Sequence, residues 1–226
     1  MQSGFCKTVP AIHLPVQMKR ETRELPESVI WPLTIYRLVG PVFFGLMLPS
    51  IFWRMYRRGG WKDQFSQRLG FFEESHRKKL KSREWIWIHS ISVGETLVAL
   101  RLARAIRVQN PDASIVISVT TSTGYAIACE AAEEWLFVMY NPVDTTEAVA
   151  RVLELVRPLK LILIEGEIWP NLVVSCFQKN IPVVLANARL SPRSARRFAK
   201  ARQWVAPFLN LLEWIGVPEK EDLQLW

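Results

Sequence analysis

Four short runs hold the residue types that could do chemistry. Ser92-Val93-Gly94-Glu95 sets a carboxylate three residues after a serine. Thr120-Thr121-Ser122-Thr123-Gly124 is a cluster of hydroxyls. Glu165-Gly166-Glu167-Ile168-Trp169-Pro170-Asn171 carries two carboxylates and an amide. Asn187-Ala188-Arg189-Leu190-Ser191-Pro192-Arg193-Ser194 adds an amide and two cations. Glu95 falls in the first turn of an expected helix, where the positive helix end favours an ionised carboxylate. Such a group can take a proton from an attacking hydroxyl. A plain helix-end charge, with no part in chemistry, accounts for Glu95 equally. Arg189 and Arg193 flank an expected helix start, a place where anions bind readily. Arg101, Arg104 and Arg107 share one helix face, either for phosphates or as a solvated charge run.

The elements that must position these runs alternate between short apolar segments and amphipathic ones. Strands are expected at Trp85–His89, Ile115–Val119, Leu136–Tyr140, Leu161–Ile164 and Val183–Ala186. Helices are expected at Gly94–Val108, Tyr125–Glu134, Thr145–Val156, Pro170–Gln178 and from Pro192 onward. Asp144 is the expected cap of the third helix, with Glu147 at capping-box spacing. Ser191 is a natural N-cap, and Pro170 and Pro192 suit a first helical turn. Repeated βα units predict an α/β, Rossmann-like parallel sheet with helices on both faces. All four runs follow strands, so they gather at the carboxyl edge, where such sheets bind ligands.

Residues 1–30, interrupted by Pro10, Pro15 and Pro26, read as a disordered extension, either a targeting segment or a misassigned start ahead of Met18. Residues 31–62 read as a membrane-anchoring helical segment. Within it, residues 38–53 lack charge and reach roughly 24 Å as a helix, against a bilayer core of about 30 Å. A spanning helix and a shallow interfacial anchor both fit. Trp31, Trp53 and Trp61 sit as interfacial aromatics, and Arg54, Arg57, Arg58 and Lys62 place the rest of the chain on the cytoplasmic side. Residues 63–84 read as a basic linker, 85–215 as the Rossmann-like domain, and 216–226 as the start of an interdomain junction.

Charge narrows the partners. The net charge is +8; residues 1–84 hold 15 Lys+Arg and 7 Asp+Glu, leaving 14 of each for residues 85–226. A nucleic-acid binder would carry its basic stripe on the folded domain, so nucleic acid is not expected, whereas a basic segment beside an apolar run suits anionic lipid. The three cysteines and three histidines show no metal spacing. Dinucleotide, P-loop and nucleophile-elbow motifs are all missing, so no cofactor is expected and a hydrolase is unsupported.

Read together and in order, the runs resemble the 3-deoxy-D-manno-octulosonic acid (Kdo) transferases of lipopolysaccharide biosynthesis. Ser92–Glu95 after Trp87-Ile88-His89, Glu165–Leu172, Asn187–Ser191 with Arg193–Arg197, the hydroxyl run Thr120–Gly124, and Arg68-Leu69-Gly70-Phe71 carry the likeness. Gly166 departs from the family's threonine. The resemblance implies the N-terminal, acceptor-binding half of a two-domain GT-B glycosyltransferase. It further implies inverting, metal-independent transfer of Kdo from CMP-Kdo to a lipid A precursor, lipid IVA, at the cytoplasmic face of a Gram-negative inner membrane. Glu95 matches the family's catalytic base. Ser92, Gly94, Thr123, Glu165, Glu167, Asn171, Asn187, Arg189 and Arg193 are the expected acceptor-side residues. CMP-Kdo binds the family's second domain, beyond Trp226, so this chain alone is expected to be inactive. Two other readings compete: a non-catalytic membrane-associated module binding lipid or protein, and a GT-B transferase for another lipid-linked acceptor.

Overall fold

The computed structural model describes residues 22–58, 65–166 and 168–219. Six strands form one sheet: β1 Trp85–Ser90, β2 Ile115–Val119, β3 Leu136–Tyr140, β4 Pro158–Ile164, β5 Val183–Ala186 and β6 Trp214–Ile215. Their order is β3-β2-β1-β4-β5-β6, with every neighbouring pair parallel. This is the strand order of a doubly wound sheet, so the α/β expectation holds. β1 to β5 coincide with the five expected strands within a few residues. β4 begins earlier than expected because Pro158 is tolerated at a strand's first position.

β1 to β5 are buried on both faces, which is why they read as continuous apolar runs. Successive side chains alternate between two cores. Trp85 and Trp87 point into one core with Met139, Leu161, Leu163 and Leu185; Ile86 and Ile88 point into the other with Ile115, Ile117, Ile162 and Ile164. Helices α3 (Val93–Gln109) and α4 (Ser122–Glu130) cover the isoleucine-rich face. Helices α5 (Thr146–Val156), α6 (Pro170–Gln178) and α8 (Arg202–Leu209) cover the other. The buried indoles keep partners: Trp85 Nε1 donates to Leu80 O at 2.8 Å and Trp87 Nε1 to Ser118 Oγ at 2.7 Å.

Two segments upstream of the sheet are more structured than the sequence implied. Helix α1 spans Glu27–Arg58, so it starts inside the expected disordered extension. Val29 and Leu33 are buried in the same core as β4, and Arg23 N donates to Gln178 O at 3.0 Å. Residues 1–21, and 59–62 at the end of the expected anchor, lie outside the described residues. Among the described residues, no helix is long and apolar enough to cross a membrane. Part of the expected basic linker also packs. A 3-10 turn at Phe65–Leu69 lets buried Gln67 accept from Tyr140 N at 3.1 Å, occupying the outer edge of β3. Helix α2, Glu74–Lys81, buries Leu80. Helix α7, Pro192–Lys200, precedes α8, and most of the expected 216–226 junction lies outside the described residues.

Candidate functional site

α3 leaves β1 toward one face of the sheet and α5 returns to β4 from the other. The loops after β1 and β4 therefore splay apart and leave a crevice between neighbouring strands. Glu95 comes from the first loop and Glu165 from the second. Both line one cavity of about 750 Å³, with Arg189 from the loop after β5.

Glu95 is positioned by backbone. Ser92 has extended dihedrals and caps α3, its Oγ accepting from Glu95 N at 3.3 Å. In return, Glu95 Oε1 accepts from Ser92 N at 3.4 Å and Oε2 from Ile91 N at 2.8 Å. This is a complete capping box. The residue is only 6% exposed, yet it lines the cavity. Its two readings from sequence are thus compatible: the interaction that caps the helix also fixes where the carboxylate points. Gly94 follows the cap on the surface. A Cβ there would meet nothing nearer than Ser92 Oγ at 3.9 Å, so the fold itself does not require glycine.

Glu165 follows β4 with φ of +70°, a left-handed conformation that is rare for a residue with a long side chain. Its N–H donates to Ala186 O at 3.0 Å, and its carbonyl accepts from Arg189 N at 3.2 Å, locking the β4 and β5 loops together. Burial, then the charge of Glu95, push its carboxyl above the usual carboxylate range, against the pull of Arg189. Two acids and one exposed arginine thus share the floor of the cavity. The walls are apolar, and they come from α1 (Ile35, Val39), α7 (Phe198) and α8 (Trp204, Val205, Phe208).

Other expected residues are placed elsewhere. Asn171 is 3% exposed and fully engaged: Nδ2 donates to Asp144 O at 2.6 Å and Oδ1 accepts from Arg37 Nε at 2.8 Å. It braces the fold and does not line the cavity. Thr123 is exposed in the first turn of α4, away from the cavity. The rest of that run is structural. Thr121 caps α4, Thr120 Oγ1 accepts from Asn141 Nδ2, and Gly124 is buried where α4 crosses α3. Asn187 takes φ of +56°, which asparagine tolerates well, and is not in the lining. Arg193 lies exposed on α7, whose Ser191 cap accepts from Ser194 N at 3.1 Å as expected. Glu167 lies outside the described residues. No three His, Cys, Asp or Glu side chains gather for a metal among the described residues.

Asp144 requires a correction. It does not cap α5; Thr145 does, with its side chain accepting from Ala148 N. Asp144 instead serves α6, whose own N-cap, Trp169, offers no side-chain acceptor. Its two oxygens accept from Asn171 N and Leu172 N, each at 2.9 Å, and Tyr36 Oη donates to it at 2.9 Å. The open N–H groups of a helix start need an acceptor wherever one is available. Burial raises the Asp144 carboxyl above its ordinary range, opposed by these hydrogen bonds and by Arg37. Tyr36 also lines the cavity, so this network ties the α1 wall to the floor. Sequence reasoning missed Tyr36 and the α8 wall. The only signal was the four-residue spacing of Trp204 and Phe208.

Fold and cleft together define a parallel α/β domain with an acidic, partly apolar cavity at its topological switch point. A family model for 3-deoxy-D-manno-octulosonic-acid transferase (kdotransferase) matches residues 63–226, and the chain belongs to that family. The chain is 34% identical over 142 residues to a 3-deoxy-D-manno-octulosonic acid transferase of Haemophilus influenzae, covering 63% of this chain and 33% of that protein. It is 35% identical over 148 residues to a bifunctional glycosyltransferase/methyltransferase of Fusobacterium nucleatum, covering 63% and 22%. A 3-deoxy-D-manno-octulosonic acid transferase of Bordetella pertussis matches at 28% over 175 residues, covering 75% and 40%. The chain thus spans well under half the length of these curated relatives.

Proposed function

We propose that this chain is the acceptor-side domain of a GT-B Kdo transferase, acting in transfer of Kdo from CMP-Kdo to the lipid A precursor, lipid IVA. One observation carries the reading: Glu95 is held by two backbone N–H groups at the floor of an open cleft between β1 and β4. In the reaction, the acceptor's glucosamine 6-hydroxyl gives its proton to the Glu95 carboxylate as its oxygen attacks the anomeric carbon of Kdo. The bond to CMP breaks on the opposite face, and CMP leaves with the electron pair. The new glycosidic bond therefore has inverted configuration. The transition state has oxocarbenium character, so a fixed carboxylate nearby also offsets developing positive charge. Glu165 suits a hydrogen bond to an acceptor hydroxyl, and Arg189 suits an acceptor anion. The donor is held by the second domain of the family, and no metal is needed.

The same reading puts the domain against the cytoplasmic face of a Gram-negative inner membrane. Supporting this, α1 exposes a stripe of large apolar residues, with Trp31 at 73%, Leu38 at 70%, Val42 at 64% and Leu46 at 74%. On α7, Arg193, Arg196, Arg197 and Lys200 are exposed as well. Exposed apolar residues and exposed cations on one domain suit an anionic lipid surface.

The test is transfer of labelled Kdo to lipid IVA with the family's second domain supplied from a relative. Glu95→Gln is expected to reduce transfer by at least a hundredfold with acceptor binding unchanged. Normal transfer by Glu95→Gln would refute the base. Binding of lipid without transfer by any reconstituted form would favour a non-catalytic module.

A further inference from the structure

Two acids and one cation meet on the cleft floor. Among the described residues lining the cavity, the titratable ones are Tyr36 from α1, Glu95 from the start of α3, Glu165 from the loop after β4 and Arg189 from the loop after β5. α6, α7 and α8 add only uncharged side chains to the lining. Tyr36 donates its hydroxyl to Asp144 and brings no charge. The balance of the floor is therefore set by Glu95, Glu165 and Arg189.

The two acids are held differently. Each oxygen of Glu95 has a backbone donor, Ile91 N at 2.8 Å and Ser92 N at 3.4 Å. Donors of that kind stabilise negative charge. The Glu165 carboxyl accepts no hydrogen bond among the described residues. Burial and the like charge of Glu95 raise it, and only Arg189 opposes them. Of two neighbouring carboxyls, the one without donors is the one that keeps a proton. The backbone points the same way. Glu165 sits at φ of +70°, clamped by Ala186 O and Arg189 N, where glycine or asparagine would be less strained. The fold alone gives no reason for a glutamate there.

The transferred sugar supplies the reason. It is a 2-ulosonic acid, so its own carboxylate is borne by the anomeric carbon, the atom under attack. A base within hydrogen-bond reach of the attacking hydroxyl lies close to that carboxylate. With both glutamates ionised, the floor would set two negative charges against one positive and repel the sugar. With a proton on Glu165, Glu95 and Arg189 balance.

We infer that Glu95 and Glu165 work as a pair holding one proton, Glu165 as the neutral acid and Glu95 as the bare carboxylate, so that an acidic sugar can reach the base. This rests on Glu95 acting as the base at this site. During transfer Glu95 takes the hydroxyl proton while Glu165 keeps its own. After CMP has left with its electron pair, Glu95 gives its proton to water and the pair is reset. The floor thereby selects by charge: ionised, Glu165 would favour neutral sugars over acidic ones.

The first test needs no transfer. In the full chain, isotope-labelled at the glutamate carboxyls, the resonance lost in Glu165→Gln is followed against pH by NMR. It is expected to titrate above the usual carboxylate range, and Glu95→Gln is expected to lower its midpoint because the neighbouring charge is gone. If thermal melts show that Glu165→Gln does not fold, Glu165→Asp assigns the resonance instead. The second test is kcat/KM for CMP-Kdo against pH, with the family's second domain supplied from a relative. Activity is expected to fall as pH rises through the Glu165 midpoint. Glu165→Gln cannot ionise and is expected to lack that limb, whatever its rate. A bracing role for Glu165 would lower the rate at every pH and leave the limb in place. An ordinary midpoint for Glu165, a midpoint untouched by Glu95→Gln, or the same limb in Glu165→Gln would overturn the inference. Failure of the base assignment is separate, since it is read from transfer by Glu95→Gln, whereas the Glu165 titration is read on the chain alone.

Discussion

His89 offers a stability test that follows directly from the sheet. It is 2% exposed near the carboxyl end of β1. Ser118 Oγ accepts from Trp87 Nε1 at 2.7 Å and lies 3.1 Å from His89 Nδ1, so the serine hydroxyl is left to donate to Nδ1. That arrangement fixes a neutral ring with its proton on Nε2, which is buried without a hydrogen-bond partner among the described residues. Burial holds the imidazole down to about 3, from an ordinary value of 6.5. Above pH 6.5 both folded and unfolded chains carry a neutral ring, and stability is unaffected. Below it the unfolded chain gains a proton that the fold refuses until about pH 3, so stability is lost across that window. The slope approaches about 1.4 kcal/mol per pH unit. Between pH 7 and 5.5 the loss is about 1.3 kcal/mol, or a melting shift of about 3–5 °C for a chain of this size. His89→Asn keeps an amide group where Nδ1 stood and removes the titration. Asp144 and Glu165, raised in the fold, add stability as pH falls, but they do so equally in both proteins. The wild-type minus variant difference in urea stability therefore isolates His89. Parallel pH curves for the two proteins would refute the reasoning, whatever their offset.

Other substitutions probe the site's framework. Gly124→Ala places a Cβ within 2.9 Å of Thr121 Oγ1, Thr96 Oγ1 and Val119 Cγ1, so denaturant melts are expected to show a loss of about 1–3 kcal/mol. Gly94→Ala meets open space and removes a flexible residue from α3, so the melting temperature should hold or rise, by up to about 1 kcal/mol of stability. Tyr36→Phe removes a hydrogen bond to a buried carboxylate and should cost about 1.5–3 kcal/mol at pH 7. Because the Asp144 carboxyl is already raised, its ionised form is the strained one, and stability is gained as pH falls through its folded value. The Tyr36→Phe deficit should therefore shrink as pH falls through the Asp144 titration, as read from urea midpoints.

The sheet was legible because β1 to β5 are buried on both faces and so read as unbroken apolar runs bounded by turn residues, whereas the two-residue, exposed β6 carries no such run. Glu95 and Glu165 stood out for a topological reason: loops after parallel strands share one edge, whichever residues they carry. Helix starts were less secure. Asp144 is a good cap type one residue ahead of the true cap of α5, Thr145, and only the bare start of α6 across the fold turns it away. Asn171 and Thr123 were polar residues in the right loops, but loop membership does not determine whether a side chain turns inward to satisfy backbone, as Asn171 does. The walls of the cleft were illegible. Ile35 and Phe208 are ordinary apolar residues far apart in the chain, and the docking of α1 beside α8 is tertiary. The uncharged stretch 38–53 dominates the pattern of this segment, and nothing in the sequence marks Val29 and Leu33, which dock the first turns of α1.

The capping box has an evolutionary corollary. The Glu95 carboxylate owes its position to amides of the β1–α3 turn, while the surrounding surface is lent by α1, α7 and α8, none of which hydrogen-bonds to that turn among the described residues. Orientation of the carboxylate and shape of the chamber are thus encoded in separate stretches of chain. Substitutions along the three outer helices can retune what the cleft admits without moving Glu95. A domain partitioned in this way can change its walls, one residue at a time, with the carboxylate on its floor undisturbed.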